Sequence, residues 1–227
     1  YYGVYQLQES IDTRYLKQRK DKFGDDGGNL WKCRGGAGLN SIYADYGVDL
    51  GGDEEYTYEL KSDDNDFEQA KEQLKAFIVA LNDKKGEDFR SWITSVCDVE
   101  LLLRTYAVNV AVGMWDDYWN NMNNYYVYFN STDPHKYQFY FIPFDYDNSL
   151  GNCSTRNGNE DQGRHNPFEW GPPTTRPLIW KIIQYNDYRL IYREELLNLV
   201  NEQNGLLHWT ASRDRITAWQ DRIRDYV

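Results

Sequence analysis

Two runs of alternating aromatic residues, DDYWNNMNNYYVYF at residues 116–129 and YQFYFIPFDYD at residues 137–147, flank the turn-prone stretch NSTDPHK. Period-two alternation on both sides of a short turn predicts an antiparallel hairpin. A hairpin brings its two open ends together. Asp116 and Asp117, with Asn121, Asn123 and Asn124, precede one strand, whereas Asp145 and Asp147 follow the other. These two clusters are therefore expected at the same end. Asp145 and Asp147 lie two apart on an extended segment and share a face. Carboxylate and amide oxygens gathered in this way suit a hard divalent cation such as magnesium, which leaves its remaining positions to water and substrate phosphates. Asp and Asn also satisfy local backbone donors at turns, and it is the coincidence of two clusters that favours the cation.

The rest of the chain divides by period. Ten of the seventeen glycines fall within the first 52 residues, so the front is rich in loops. Within it, residues 4–8 alternate like a strand, and ESIDTRYLKQRKDKF spaces Ile11, Tyr15 and Leu16 as a helix that stops at Gly24. NLWKCR and YTYELK read as short strands. From Asp66 the period becomes 3.6, with Phe67, Ala70, Leu74, Phe77, Ile78 and Leu81 on one stripe. DVELLLRTYAVNVAVG, capped by Asp98 and stopped at Gly113, reads as a central buried helix. Residues 148–176 are polar, rich in Asn, Gly and Pro, and too long for an idle connection. Three helical patterns close the chain, the last with a narrow apolar face formed by Ile216, Trp219, Ile223 and Tyr226. The expected fold is α+β, with a partial N-lobe of short strands over residues 1–62. A mainly helical C-lobe carrying the hairpin follows over residues 63–227.

Composition removes several functions. The formal net charge of −11 argues against nucleic acid and anionic membrane as partners. No run approaches the roughly 18 apolar residues of a membrane helix. The chain opens on YYGVYQLQE without Met, already alternating, and is expected to be a piece of a longer polypeptide. Cys33, Cys97 and Cys153 show no CxxC or Cys/His pairing, which argues against a zinc site and leaves room for at most one bridge. The sequons at Asn130 and Asn152 read as chance matches in an Asn-rich chain. DYDNSLGN is not an EF-hand loop, because its glycine falls at Gly151 and its twelfth position is Arg156. Paired carboxylates among aromatics also fit glycoside chemistry, for which Trp115, Trp119 and Trp170 would be pocket walls, although such aromatics commonly belong to a core. His135 and His165 read as solvated and His208 as structural.

YGVYQLQESID, NLWK, DDYWNNMNNYYVY and FIPFDYDNSLG together resemble the bacterial spore-coat protein H (CotH) kinase family over residues 2–151. The resemblance implies an atypical protein-kinase-like fold and an enzyme, secreted or coat-associated, that uses ATP with magnesium or manganese to phosphorylate protein side chains. It places the protein at the cell or spore surface, in company with a larger extracellular assembly. It makes Asp117 the catalytic carboxylate, with Asp116 as the alternative because Asn121 follows Asp116 at the five-residue spacing of ordinary kinases. Asp145 becomes the metal acid of a DFG-like segment written DYD; of Asp145 and Asp147 only one need touch the metal, and Asn124 and Asn121 compete for the amide role beside it. Glu9 resembles the acid that anchors the nucleotide lysine. The strand carrying that lysine would precede Tyr1, which leaves Lys32 and Lys61 as substitutes. No GxGxxG loop is present, and RGGAGLN offers at most a nest of backbone amides. A carbohydrate-active or carbohydrate-binding protein and a non-catalytic coat scaffold are the competing functions.

Overall fold

The computed structural model describes residues 7–48, 55–62, 64–152 and 164–226. The strand expected at residues 4–8 falls mostly outside them. Helix formation begins at Asp12, whose carboxylate accepts from the N–H groups of Arg14 and Tyr15 and so starts α1 (Thr13–Gln18). A single-turn α2 (Lys20–Phe23) ends at Gly24, whose φ of 76° suits a residue without Cβ. Three short strands follow: β1 (Asn29–Cys33), β2 (Tyr46–Val48), which the sequence pattern did not announce, and β3 (Tyr58–Leu60). The stripe starting at Phe67 becomes α3 (Phe67–Asp83), capped by Asp66, and a further helix, α4 (Gly86–Val96), follows it. Asp98 caps α5 (Val99–Ala111), and Gly113, at φ 62°, turns the chain out of it.

The expected hairpin forms between β4 (Tyr125–Phe129) and β5 (Phe139–Pro143), which pair antiparallel from Tyr125↔Pro143 to Phe129↔Phe139. Ahead of β4 the alternating run breaks. Residues 118–121 make a single helical turn, α6 (Tyr118–Asn121), because Asp117 caps it and Met122 closes it at φ 57°. Three helices end the described chain: α7 (Pro177–Ile182), α8 (Asn186–Val200) and α9 (Trp209–Ile223).

All five strands form one sheet in the order β2-β3-β1-β4-β5, with β2 parallel to β3 and the other pairs antiparallel. Sheet and core both run across residue 62, so strands from either side of that boundary share one layer. One face carries Trp31, Cys33, Tyr58, Leu60, Val127 and Phe129 into the main core beneath α3 and α5. The opposite face carries Leu30, Tyr126, Tyr128 and Ile142 onto Leu16 and Phe23 of the first two helices. α5 is less enclosed than its sequence suggests, since Leu101 is exposed and Arg104 reaches out to Glu195 on α8 at 3.0 Å. Cys33 and Cys97 are buried free thiols, while Cys153 lies outside the described residues. No helix among the described residues is long and apolar enough to cross a membrane.

Phe77 joins α3 to the hairpin by stacking on Phe139 at 4.4 Å and meeting Phe129 edge-on at 5.4 Å. Removing this ring leaves a cavity at the seam. Phe77→Ala is expected to lower unfolding free energy by about 3–5 kcal/mol in urea titrations. A loss below about 1 kcal/mol would show that the seam does not hold the hairpin.

Candidate active site

The open end of the hairpin is fixed by backbone. Phe144 N–H donates to the Asn124 carbonyl at 3.0 Å and extends the ladder one step beyond Tyr125↔Pro143. Both chains then bend sharply. Met122, Asn124 and Asp145 adopt φ values of 57°, 52° and 56°, a left-handed region that non-glycine residues enter only where their surroundings hold them.

Asp116 stands at this mouth, half-buried, and accepts hydrogen bonds from the side-chain amides of Asn121, Asn123 and Asn124, the last at 2.9 Å. Among the described residues no hydrogen bond reaches the Asn124 amide oxygen. Asp145 lies close enough to Asp116 and Asp147 for their charges to act on it. Partial burial and those two carboxylates push its pKa up, against the opposing pull of Lys32. The structure thus brings Asp116, Asn121, Asn124, Asp145 and Asp147 together around the hairpin mouth. No group of three His, Cys, Asp or Glu side chains among the described residues is spaced to hold a metal unaided.

Asp117 occupies a different environment from its neighbour. It is 1% exposed, and its carboxylate accepts from Asn120 N–H at 2.8 Å and from the Asn109 side-chain amide at 3.1 Å. The Trp170 indole N–H stands at the edge of hydrogen-bonding geometry to it. Burial dominates and raises the Asp117 pKa to about 6. Asn109 links Asp117 to the segment that carries Asp145 and Asp147, because its amide oxygen accepts from the hydroxyl of the intervening Tyr146 at 2.5 Å. Sequence reasoning passed over Asn109. The available signal was a polar residue one turn before the end of an apolar helix.

The loop spanning residues 115–124 is clamped from both sides. Tyr118 Oη donates to the Gly38 carbonyl and accepts from Leu178 N–H, each at 3.2 Å. Buried Arg176 donates to the carbonyls of Trp119 and Asn120, where the end of a helical turn favours a cation. Gly171 passes so close that a Cβ there would fall 1.8 Å from the Trp119 carbonyl oxygen. The amide nest expected in RGGAGLN is spent internally. Ala37 N–H donates to Arg34 and Met122 carbonyls, Gly38 N–H to the Gly36 carbonyl, and Leu39 N–H to Tyr58 Oη.

Lys32 emerges from β1 on the face opposite Trp31 and Cys33, directly between Glu59 and Tyr126 in register. Its Nζ lies 5.6 Å from the Phe144 ring centre and has no hydrogen bond or ion pair among the described residues. Partial burial, with Arg34 adding repulsion, lowers its pKa. Lys61 is instead held by Glu59 at 3.0 Å, and Arg34 binds the same carboxylate at 2.7 Å. Glu59, 3% exposed, is a residue that sequence reasoning missed. Its signal was a carboxylate alternating with Tyr58 and Leu60. Glu9, expected to anchor a lysine, is exposed and pairs with Arg19 at 2.6 Å. Trp119 is a core residue, 0% exposed, whereas Trp170, 3% exposed, belongs to the core and also lines a cavity with Val110, Gly113, His165 and Leu196.

The family model described as CotH kinase protein matches residues 1–227, the whole chain. The chain belongs to the CotH kinase family. Comparison with curated proteins gives no match. Membership in the CotH kinase family makes this a kinase-like enzyme, and kinase-like families in general use a nucleotide with a divalent metal. The mixed α+β architecture with its five-stranded sheet fits that family.

The buried carboxylate gives a test by pH. With a folded pKa of about 6, above the ordinary value of 3.8, native Asp117 binds the extra proton between these limits. Its contribution to stability is fully present below the unfolded pKa and is lost as pH rises through about 6. Asp117→Asn stays uncharged, and flipping the Asn109 amide restores the pairing. The melting temperature of Asp117→Asn is expected to gain on that of wild type between pH 5 and 7.5, equivalent to about 1 kcal/mol. A gap independent of pH would show that the carboxylate is ionised throughout.

Proposed function

We propose that this chain, on an atypical protein-kinase-like fold, transfers the terminal phosphoryl group of ATP to hydroxyl side chains of secreted or coat-associated proteins at the cell or spore surface. One observation carries the reading: Asp116, Asn124 and Asp145 converge at the hairpin mouth beside Lys32, a half-buried lysine with no ion pair among the described residues. The donor set fits magnesium, or manganese in its place. Asp145 and the Asn124 amide oxygen would hold the ion, with Asp147 and Asn121 on the exposed side as the alternatives. Water and phosphate oxygens would have to complete the shell, because no three carboxylates among the described residues form a cage. When bound, the ion neutralises charge on the phosphates and fixes their orientation.

The chain's own residues divide the remaining work. Asp116, open to the mouth and aimed by three asparagine amides, orients the attacking hydroxyl and accepts its proton. The new bond joins that oxygen to the terminal phosphorus, the bridging P–O bond breaks, and ADP leaves. Lys32 holds the phosphates of the incoming nucleotide. Asp117 is assigned a positioning role through Asn109 and Tyr146, because its carboxylate is buried away from the mouth. Glu59, rather than Glu9, sets the charge around the lysine by holding Arg34 and Lys61 aside.

ATP with magnesium is expected to raise the melting temperature of the full polypeptide, by the equivalent of about 2.7 kcal/mol at a hundredfold excess over Kd. Asp145→Ala and Lys32→Ala should abolish or weaken that shift. Asp116→Asn should keep it while phosphate transfer falls by about 10²–10⁴. A shift without transfer in the wild type would make the protein a non-catalytic scaffold. Stabilisation by glycans with indifference to nucleotide would replace the kinase reading altogether.

A further inference from the structure

A cavity of about 500 Å³ opens where the end of α5 meets α8, walled by Val110, Leu196, Leu197 and Val200. Trp170, whose indole approaches Asp117, and Leu150, three residues after Asp147, complete the wall. Its rim is apolar and open to solvent: Leu150, Leu197 and Val200 are 73%, 44% and 50% exposed. Leu150 is held at φ 54° with Gly151 at φ 88° behind it, so the leucine stands at the rim on a left-handed turn.

The cavity keeps a fixed register with the hairpin mouth. Trp115 N–H donates to the Asn148 carbonyl at 3.3 Å, and Leu150 N–H donates to the Val112 carbonyl at 2.7 Å. These bonds lay the two segments side by side. One runs from the cavity at Gly113 to Asp116, and the other from Leu150 back to Asp147, three residues in each case. Three residues span at most about 11 Å, so both walls begin within that reach of a carboxylate at the mouth. An extended acceptor chain advances about 3.3 Å per residue and covers the same ground in three or four residues.

The lining restricts the occupant. No lysine or arginine lines the cavity among the described residues, so it offers no cation to a second nucleotide or a free phosphate. The stretch that follows Asn152 in the chain, CSTRNGNEDQG at residues 153–163, carries no Leu, Ile, Val, Met or aromatic residue with which to fill it. A chain that presents a hydroxyl to Asp116 must continue past the mouth, and the apolar ground lies within its reach. We propose that the cavity is an acceptor subsite, which takes a large apolar side chain, Leu or Phe in type, carried three or four residues from the hydroxyl that receives the phosphoryl group. The inference rests on the kinase reading and adds to it a substrate class: acceptor segments marked by one apolar anchor. Burial of that anchor removes apolar surface from water on both partners.

The test is a positional scan with the full polypeptide, ATP and magnesium. Peptides carry one central serine in a Gly/Ala background, and each flanking position is set in turn to Leu, Phe, Gln, Glu or Lys. Leu or Phe at the third or fourth position on one side of the serine is expected to raise kcat/KM about tenfold over Gln, Glu or Lys, mainly through KM. Leu197→Glu should move the preference at that position to Lys, and Val200→Lys should move it to Glu. Both residues lie at the surface, and circular dichroism checks that the variants fold. Equal transfer to all peptides would overturn the inference and leave the kinase reading intact. So would apolar selection that neither variant alters. Absence of transfer to every peptide, with no shift of melting temperature by ATP and magnesium, would remove the kinase reading and the inference with it.

Discussion

The register of β1 between β3 and β4 is the constraint on which the rest depends. Lys32 lies opposite Glu59 on one side and Tyr126 on the other, while its neighbours Trp31 and Cys33 are almost fully buried on the reverse face. A slip of one residue would drive the lysine into the aromatic core and expose the indole. The pairing is held by β4, buried at every position, and by the ring contacts that join the hairpin to α3. Because β4 and β5 share the same sheet, fixing Lys32 also fixes Asn124 and Phe144 at the strand ends, and Asp145 comes next in the chain.

The mouth of the hairpin is a place where local backbone preference is overruled. Left-handed φ values at Met122, Asn124 and Asp145 carry a penalty of about 1–3 kcal/mol each. The opposing terms are visible in the clamp around residues 115–124. Tyr118 joins the Gly36–Leu39 turn to α7, Arg176 closes the end of α6, and the asparagine amides gather on Asp116. Each such bond contributes about 1 kcal/mol, and bonds to charged groups contribute more. Segments distant in sequence therefore hold the carboxylates before any ligand arrives, and Tyr146, bonded to Asn109 inside α5, anchors the aspartate-rich turn from below.

Much of this was legible in the chain, and the parts that were not share a cause. The hairpin declared itself through period two, and the cap at Asp98 through Asp ahead of an apolar stripe. The different burial of Asp116 and Asp117 could not be read from spacing alone, because adjacent residues part company only when α6 forms. Asp117 caps α6 as Asp12, Asp66 and Asp98 cap their helices, yet it alone of the four is buried, and no local pattern marks that difference. Glu9 misled because its partner depends on where α1 docks. The pairing of β1 with β4 joins segments about a hundred residues apart, and no local signal announces such a contact. For the same reason the boundary at residue 62 was drawn where periodicity changes, although one sheet spans both sides.

Charge explains why the site needs both of its proposed ligands. The chain carries a net −11, yet Lys32, Arg34 and Lys61 crowd one face of the sheet around Glu59, while Asp116, Asp145 and Asp147 crowd its end. Under the proposed function, a nucleotide alone would meet unscreened carboxylates, and a cation alone would meet a lysine already disfavoured in its charged form by burial. Together they cancel. The phosphates satisfy the lysine and the ion satisfies the aspartates, each lowering the electrostatic penalty of the other's arrival. Such reciprocity is a coupling free energy between two subsites, and here it arises from a single strand register that sets opposite charges side by side without letting them pair.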